Sequence, residues 1–201
     1  MNQISPRRGE VTEWARGILA QDIVILDTET TGLWPEDEIV EIAAISRDGA
    51  VLINQRIQPI DSGRLLKRDK RGTSASDIHG ILPHMLEHEP RFPEVYPRLQ
   101  DVLFMKPVII YNAAYDTKML AQDYARHHLA PPLYFPDCAM LRFAEFWGEE
   151  NTERGGYRWC KLELACSRMS IPAHAFENHA HSALGDCLRT LALLKALAAS
   201  G

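Results

Sequence analysis

The sequence predicts an α/β domain built on a mixed sheet with helices around it. Three observations carry this. The apolar run Ile23-Val24-Ile25-Leu26 is followed by a β-branched, alternating stretch from Ile39 to Ser46 and then by an Asp48-Gly49 turn, the signature of an antiparallel meander. Beyond residue 90, short apolar runs alternate with longer stretches of helical period. Finally, 201 residues are enough for one full domain and too few for two generous ones.

Residues 1–21 are expected to form a leader and a short helix, with residues 22–201 as a single domain. Glu10 to Leu19 places Val11, Trp14, Ile18 and Leu19 on one side of that helix. A strand follows over 22–28. Ile39 to Ser46 is the second strand, Arg47-Asp48-Gly49 the turn, since Asp-Gly tolerates positive φ, and Ala50 to Ile57 the third. Residues 61–74 are polar and carry Arg64, Lys67, Arg68, Lys70 and Arg71, which reads as a mobile surface loop. Phe92 to Met105 is helical, with Pro93 in its first turn. Pro107 to Tyr111 is a strand, Ala113 to His128 a helix, Leu133 to Pro136 a brief strand, and Cys138 to Trp147 and Lys161 to Met169 helices. Ser182 to Ala199 has the widest apolar stripe: Ala183, Leu184, Cys187, Leu188, Leu191, Leu194 and Leu197.

The formal charge of −5 draws the chain as a whole to neither nucleic acid nor membrane, so a polyanionic substrate needs local basic residues or metal ions. No apolar run is long enough to span a bilayer, and Met1 to Glu10 has no apolar signal segment. Cys138, Cys160, Cys166 and Cys187 lack the short paired spacings of a zinc site and read as reduced thiols in a cytoplasmic protein.

The first strand ends in Asp27-Thr28-Glu29-Thr30-Thr31-Gly32. Residues i and i+2 share a face of a strand, so Asp27 and Glu29 point the same way and repel unless a cation lies between them. Oxygen ligands alone suit a hard ion, Mg²⁺ or Mn²⁺. Asp116 falls just past the Ile109-Ile110-Tyr111 strand, and Asp186 beside the apolar stripe of the last helix, where a carboxylate is costly unless paired or bound to metal. Five residues of helix turn through about 500°, so His181 and Asp186 share a site only if His181 lies on the loop before the helix. His179 has equal chemical merit there. Sites in open α/β sheets form beyond the strand ends, where these groups can converge.

Ile25 to Leu33 resembles the first motif of the DEDDh 3′→5′ exonucleases, a family that includes the proofreading epsilon subunit of bacterial DNA polymerase III. Asn112-Ala113-Ala114-Tyr115-Asp116 resembles its second motif and His181-Ser182-Ala183-Leu184-Gly185-Asp186 its third; Ile78-His79-Gly80-Ile81 resembles a segment that contacts substrate in relatives. The resemblance implies a ribonuclease H-like mixed five-stranded sheet flanked by helices. It also implies hydrolysis of a 3′-terminal phosphodiester with two Mg²⁺ or Mn²⁺ ions held by Asp27, Glu29, Asp116 and Asp186, and His181 as general base. A histidine of ordinary pKa suits that role at neutral pH. A sister group has Tyr-x₃-Asp in place of His-x₄-Asp; position 182 is Ser here, so the histidine form applies. The family often has His where this chain has Tyr111, and Phe where it has Tyr115.

Thr30, Thr31, Gly32 and Leu33 are the expected grip on a 3′ end, with His79 and Asn112 as further substrate contacts. Leu33 and Trp34 are candidates to wedge or stack against terminal bases. The basic loop 64–71 is one candidate track for phosphates. Arg154, Arg158 and Lys161, interleaved with Tyr157 and Trp159, are another, and basic residues among aromatics fit a single strand better than a duplex. The expected partners are 3′ ends of single-stranded DNA or RNA, with a DNA polymerase or sliding clamp as further candidates. Gln100-Asp101-Val102-Leu103-Phe104 resembles a clamp-docking pentapeptide, yet its place in an amphipathic helix argues for core packing. The chain ends soon after its last helix, which favours a freestanding enzyme.

Three other readings are weighed. RNA trimming of the oligoribonuclease type would use the same site. A haloacid dehalogenase-like phosphatase needs Asp at position 29 and has no use for His-x₄-Asp. A non-catalytic nucleic-acid-binding module would keep five costly polar groups without using them.

Overall fold

The sheet order is β3-β2-β1-β4-β5, in a computed structural model that describes residues 5–174 and 182–200. β1 (Val24–Thr30), β2 (Ile39–Ser46) and β3 (Val51–Arg56) form the antiparallel meander, while β4 (Pro107–Ile110) runs parallel to β1 and β5 (Phe135–Cys138) parallel to β4. The mixed five-stranded sheet flanked by helices is the expected one.

Strand alternation sorts the core into two layers. Ile23 and Ile25 face a layer made by α1 (Arg8–Leu19), α5 (Ala139–Trp147), α6 (Leu162–Arg168) and α7 (Ala183–Ala198). Val24 and Leu26 face the other, made by α3 (Phe92–Leu103) and α4 (Ala113–Arg126). β2 is buried on both faces over all but its last residue, which is why it reads as a nearly continuous apolar run. Cys187 of α7 is fully buried against it, its thiol donating to the Ala43 and Ile25 carbonyls at 3.4 and 3.6 Å.

α1 begins two residues before the expected start, and it packs on α7 and α5 through Val11, Ala15 and Ile18, so this helix shares the core of the domain. The segment 61–74 is more ordered than its polarity indicates. Ser62–Leu66 is a 3₁₀ turn whose Leu65 is wholly buried with Val40, Ile81 and Leu86. Then Ser74 opens α2 (Ala75–His79) with a capping box to Asp77. One apolar side chain in a basic run is enough to pin the backbone, and periodicity does not register it. β5 starts two residues later than expected, and Pro136, which has no N–H to give, is tolerated within it because it is an edge strand. The clamp-like segment closes α3 with Leu103 wholly buried, in agreement with the core reading and against a docking role. Among the described residues no helix is long and apolar enough to cross a membrane, and all four cysteines are unpaired.

Candidate active site

β1 and β4 run parallel, and a cleft of about 260 Å³ opens beyond their carboxyl ends. Asp27, Glu29, Asp116 and Asp186 all line it, together with Thr28, Asn112, Tyr111 and Tyr115. Three elements deliver the four acids. Alternation along β1 puts Asp27 and Glu29 on the α7 side of the sheet and Thr28 on the α4 side. Thr28 there donates both its N–H (3.0 Å) and its hydroxyl (2.7 Å) to Oδ1 of Asp116, in the first turn of α4. Asp186 lies in the first turn of α7, whose start is capped by the Ser182 hydroxyl accepting from Gly185 N–H at 3.2 Å. Arg189, one turn on, donates to Asp186 at 2.5 Å.

The electrostatics are those of like charges crowded in a buried site. Burial, reinforced by the charges of Asp116, Asp186, Glu29 and Glu41, pushes the Asp27 carboxyl well above the usual range. Glu29 is raised to about 8, first by burial and then by Asp186, Glu41 and Asp116. Asp116 is raised to about 7 by burial, against the two hydrogen bonds from Thr28. Only a compensating positive charge lets these groups ionise together at neutral pH. The donors are carboxylate oxygens, so the fit is to hard divalent ions.

Glu41 belongs to this set and was not expected. It sits on β2 directly opposite Glu29, buried, in a pairing that like charges disfavour. Its Oε2 accepts the Ala183 N–H at 2.9 Å at the start of α7, and its Oε1 lies 3.4 Å from Arg56. The signal was available: an acid inside a strand otherwise apolar from Ile39 to Ile45. Its position opposite Glu29 depends on a register shift between Glu29 and Thr30, which local sequence does not reveal.

Of the residues expected to grip a 3′ end only Asn112 lines the cleft; Thr30 to Leu33 lie at the end of β1 and on the turn that follows it, joined to the cleft through Tyr115. Thr30 and Thr31 are buried, while Leu33 and Trp34 are 67% and 64% exposed. The turn holding them is tied down from below. Asp37 accepts from Trp34 N–H (2.7 Å), the Thr31 hydroxyl (3.0 Å) and Arg64 Nε (2.7 Å). Those bonds hold its carboxyl below the usual range despite its burial. A Cβ on Gly32 would stand 2.4 Å from Asp37 Oδ2, so glycine is needed there for the loop's own packing. Arg64 is therefore committed to Asp37 and is not a free phosphate ligand; Arg68 is paired with Asp77 at 3.1 Å. Lys67, Lys70 and Arg71 are exposed.

His79 is buried. Its Nδ1 accepts from Ile81 N–H at 3.1 Å, which leaves the proton on Nε2 to donate to the Thr30 carbonyl at 3.1 Å. Burial lowers its pKa, so the ring is a neutral brace for the turn after β1. Asn112 is exposed at the cleft. Tyr115 reaches over β1, donating to the Gly32 carbonyl at 2.9 Å and touching the Thr30 hydroxyl, and burial pushes its phenol up to about 12. His181 and His179 lie outside the described residues.

A second cluster, Glu38, Asp123 and His127, also has ligand-like geometry. Its acids are spent on backbone: Glu38 accepts from Ile60 and Asp61 N–H, and Asp123 from Ile39 N–H while pairing with Arg126. It ties the loops flanking β2 to α4 and is read as structural.

A family model described as Exonuclease (RNase_T) matches residues 24–194. The uncharacterized exonuclease CP81 of Escherichia phage 186 is 32% identical over 197 residues, 95% of each chain. The DNA polymerase III epsilon subunit of Escherichia coli K12 is 28% identical over 109 residues, 51% of this chain and 43% of the subunit, so the match spans less than half of that relative. Among solved structures, the nuclease domain of 3′hExo, a DEDDh family member bound to rAMP, superposes with a TM-score of 0.61 at 15% identity over 89% of this chain and 92% of that one. The ribonuclease H-like fold is thus shared.

Proposed function

The chain belongs to the RNase_T exonuclease family, and from that premise we propose that it removes nucleotides from the 3′ end of single-stranded nucleic acid with the help of two divalent cations. Family membership sets aside the phosphatase reading. The observation that carries the proposal is the convergence of Asp27, Glu29, Asp116 and Asp186 on one cleft, with carboxyl pKa values raised wherever a shift is resolved.

Asp27, Glu29 and Asp186 would hold one ion, and Asp27 with Asp116 the other. Bound there, Mg²⁺ or Mn²⁺ supplies Lewis-acid activation of the attacking water and neutralises charge on the leaving oxygen. The residues around them do the rest. Thr28 holds Asp116 at the cleft through two hydrogen bonds to one oxygen, so that Asp116 would be oriented to hold an ion. Glu41 and Ser182 fix the start of α7 and so the position of Asp186. The turn from Thr30 to Trp34, braced by His79, Tyr115 and Asp37, offers backbone groups and two exposed apolar side chains to the terminal nucleotide. His181 is assigned the general base on the resemblance of His181 to Asp186 to the third motif of the DEDDh exonucleases.

The test is a 5′-labelled single-stranded oligonucleotide incubated with Mg²⁺ or Mn²⁺. The expected result is a ladder shortening from the 3′ end and abolished by EDTA; intact substrate with both metals rejects the proposal. Matched DNA and RNA strands in the same assay assign the sugar. An association with a DNA polymerase is proposed only by analogy with the epsilon relatives.

A further inference from the structure

The second basic and aromatic stretch singled out in the sequence is split by the structure. Trp159 and Lys161 line the cleft that holds the four acids; Arg154, Tyr157 and Arg158 do not. Residues 149–158 fold back on themselves as a small hairpin. Arg158 N–H bonds to Glu149 O at 2.7 Å, Asn151 N–H to Gly156 O at 2.9 Å, and Glu150 bridges Tyr157. Gly155 and Gly156, with φ of 74° and 72°, make its turn. Its base is anchored by Arg168, which bonds Glu149 at 3.2 Å and lies over the Trp147 ring at 4.7 Å.

The chain then descends into the core at Leu162, so the strip Trp159-Cys160-Lys161 forms the cleft wall. Trp159 is 58% exposed there, a large apolar face turned to solvent. Lys161 is exposed and, among the described residues, is the one lysine or arginine lining the cleft; Glu163 is the further acid on that wall. Tyr111 holds the strip. Its buried hydroxyl donates to the Cys160 carbonyl, between the two, at 2.9 Å. The side chain at this position is thus turned to the wall.

We propose that Trp159 and Lys161 form a strand-binding subsite of the cleft, with Trp159 stacking on a base and Lys161 pairing with a phosphate of single-stranded nucleic acid, while Tyr111 acts as a positioning residue for the strip. The inference rests on the nuclease reading for its ligand. An exposed indole accepts any base, and a lysine on the cleft wall, apart from the Asp186–Arg189 pair, marks where a phosphate would leave the acids.

The test is equilibrium binding of a 5′-fluorescein-labelled ten-residue thymidine strand, followed by anisotropy with Ca²⁺ replacing Mg²⁺. Trp159→Ala is expected to weaken binding about ten-fold. Lys161→Gln should weaken it and reduce the slope of log Kd against log salt by about 0.7, one phosphate's share on a single strand. Tyr111→Phe should weaken binding in the wild-type background and much less once Trp159 and Lys161 are both replaced, a non-additivity that a purely structural tyrosine would not show. Dissociation constants within two-fold of wild type for both Trp159→Ala and Lys161→Gln overturn the subsite, as does a wild-type protein that binds no strand; additive Tyr111→Phe overturns the positioning role. A wild-type protein that binds the strand but leaves it intact in Mg²⁺ and Mn²⁺ refutes the nuclease reading and leaves the subsite standing on its binding data.

Discussion

Asp186 stands in the first turn of α7, where a carboxylate favours the helix dipole, and in a cluster of acids, where it raises Asp27 and Glu29. The second effect dominates when no cation is bound, because it acts through a buried site. Asp186→Asn should therefore reduce kcat by at least about a hundred-fold while leaving the metal-free protein as heat-stable as wild type or more so. A melting temperature lowered by more than about 5 °C would make Asp186 a structural residue. Glu41 makes the opposite case. It satisfies the Ala183 N–H, so Glu41→Gln keeps an acceptor and removes a charge, whereas Glu41→Ala orphans a buried donor. Denaturant titration should find Glu41→Ala about 1–2 kcal/mol less stable than Glu41→Gln. The two residues also mark what could be read in advance. Asp27, Glu29 and Asp186 stand out in the sequence because each breaks a local rule, as acids sharing one face of a strand end or an acid beside an apolar stripe; Asp116, an ordinary acid for the first turn of a helix, stands out only through the resemblance of Asn112 to Asp116 to a family motif. Glu41 and the bracing role of His79 depend on which residues oppose them across strands, and one-dimensional spacing does not carry that.

The turn after β1 is the element that, on the proposed function, would grip a 3′ end. Its shape comes from Asp37, held by Trp34, Thr31 and Arg64, and from the absence of a Cβ at Gly32. Gly32→Ala should cost about 1–3 kcal/mol in denaturant titration, because the carboxylate must move and release its partners. It should also raise KM for an oligonucleotide, since Leu33 and Trp34 ride on that turn. A variant with unaltered stability would mean that Asp37 gives way cheaply. The meander, α3, α4 and α7 were legible to within a few residues because periodicity and turn chemistry agree there. The 3₁₀ turn at Ser62–Leu66 and helix α2 were not, since one buried leucine and a capping box organise a stretch whose composition reads as loop.

For the whole molecule, the raised carboxyls couple folding to protons and to metal. Asp116 and Glu29 hold their protons more tightly folded, at about 7 and about 8, than unfolded, at 3.8 and 4.5. Folding of the metal-free protein takes up protons in that window. The contribution of these groups to stability is complete below their unfolded values and drains away as pH rises through the folded ones. In EDTA the melting temperature should fall between about pH 5 and pH 9, and added Mg²⁺ or Mn²⁺ should raise it more at pH 8.5 than at pH 5.5. A metal effect independent of pH would separate the acids from the ion site.

Cys187 gives this architecture a built-in reporter. Its sulfur is sealed between α7 and the sheet, and burial beside Asp27 lifts its thiol well above the ordinary value, so little thiolate forms and no reagent reaches it. Cys138 and Cys160 are only half-buried. Alkylation should therefore run in stages, with Cys187 last and at a rate set by the undocking of α7, the helix that carries Asp186. Mass-spectrometric counting of labels against time thus measures how often the molecule lets go of one wall of its acid-lined cleft.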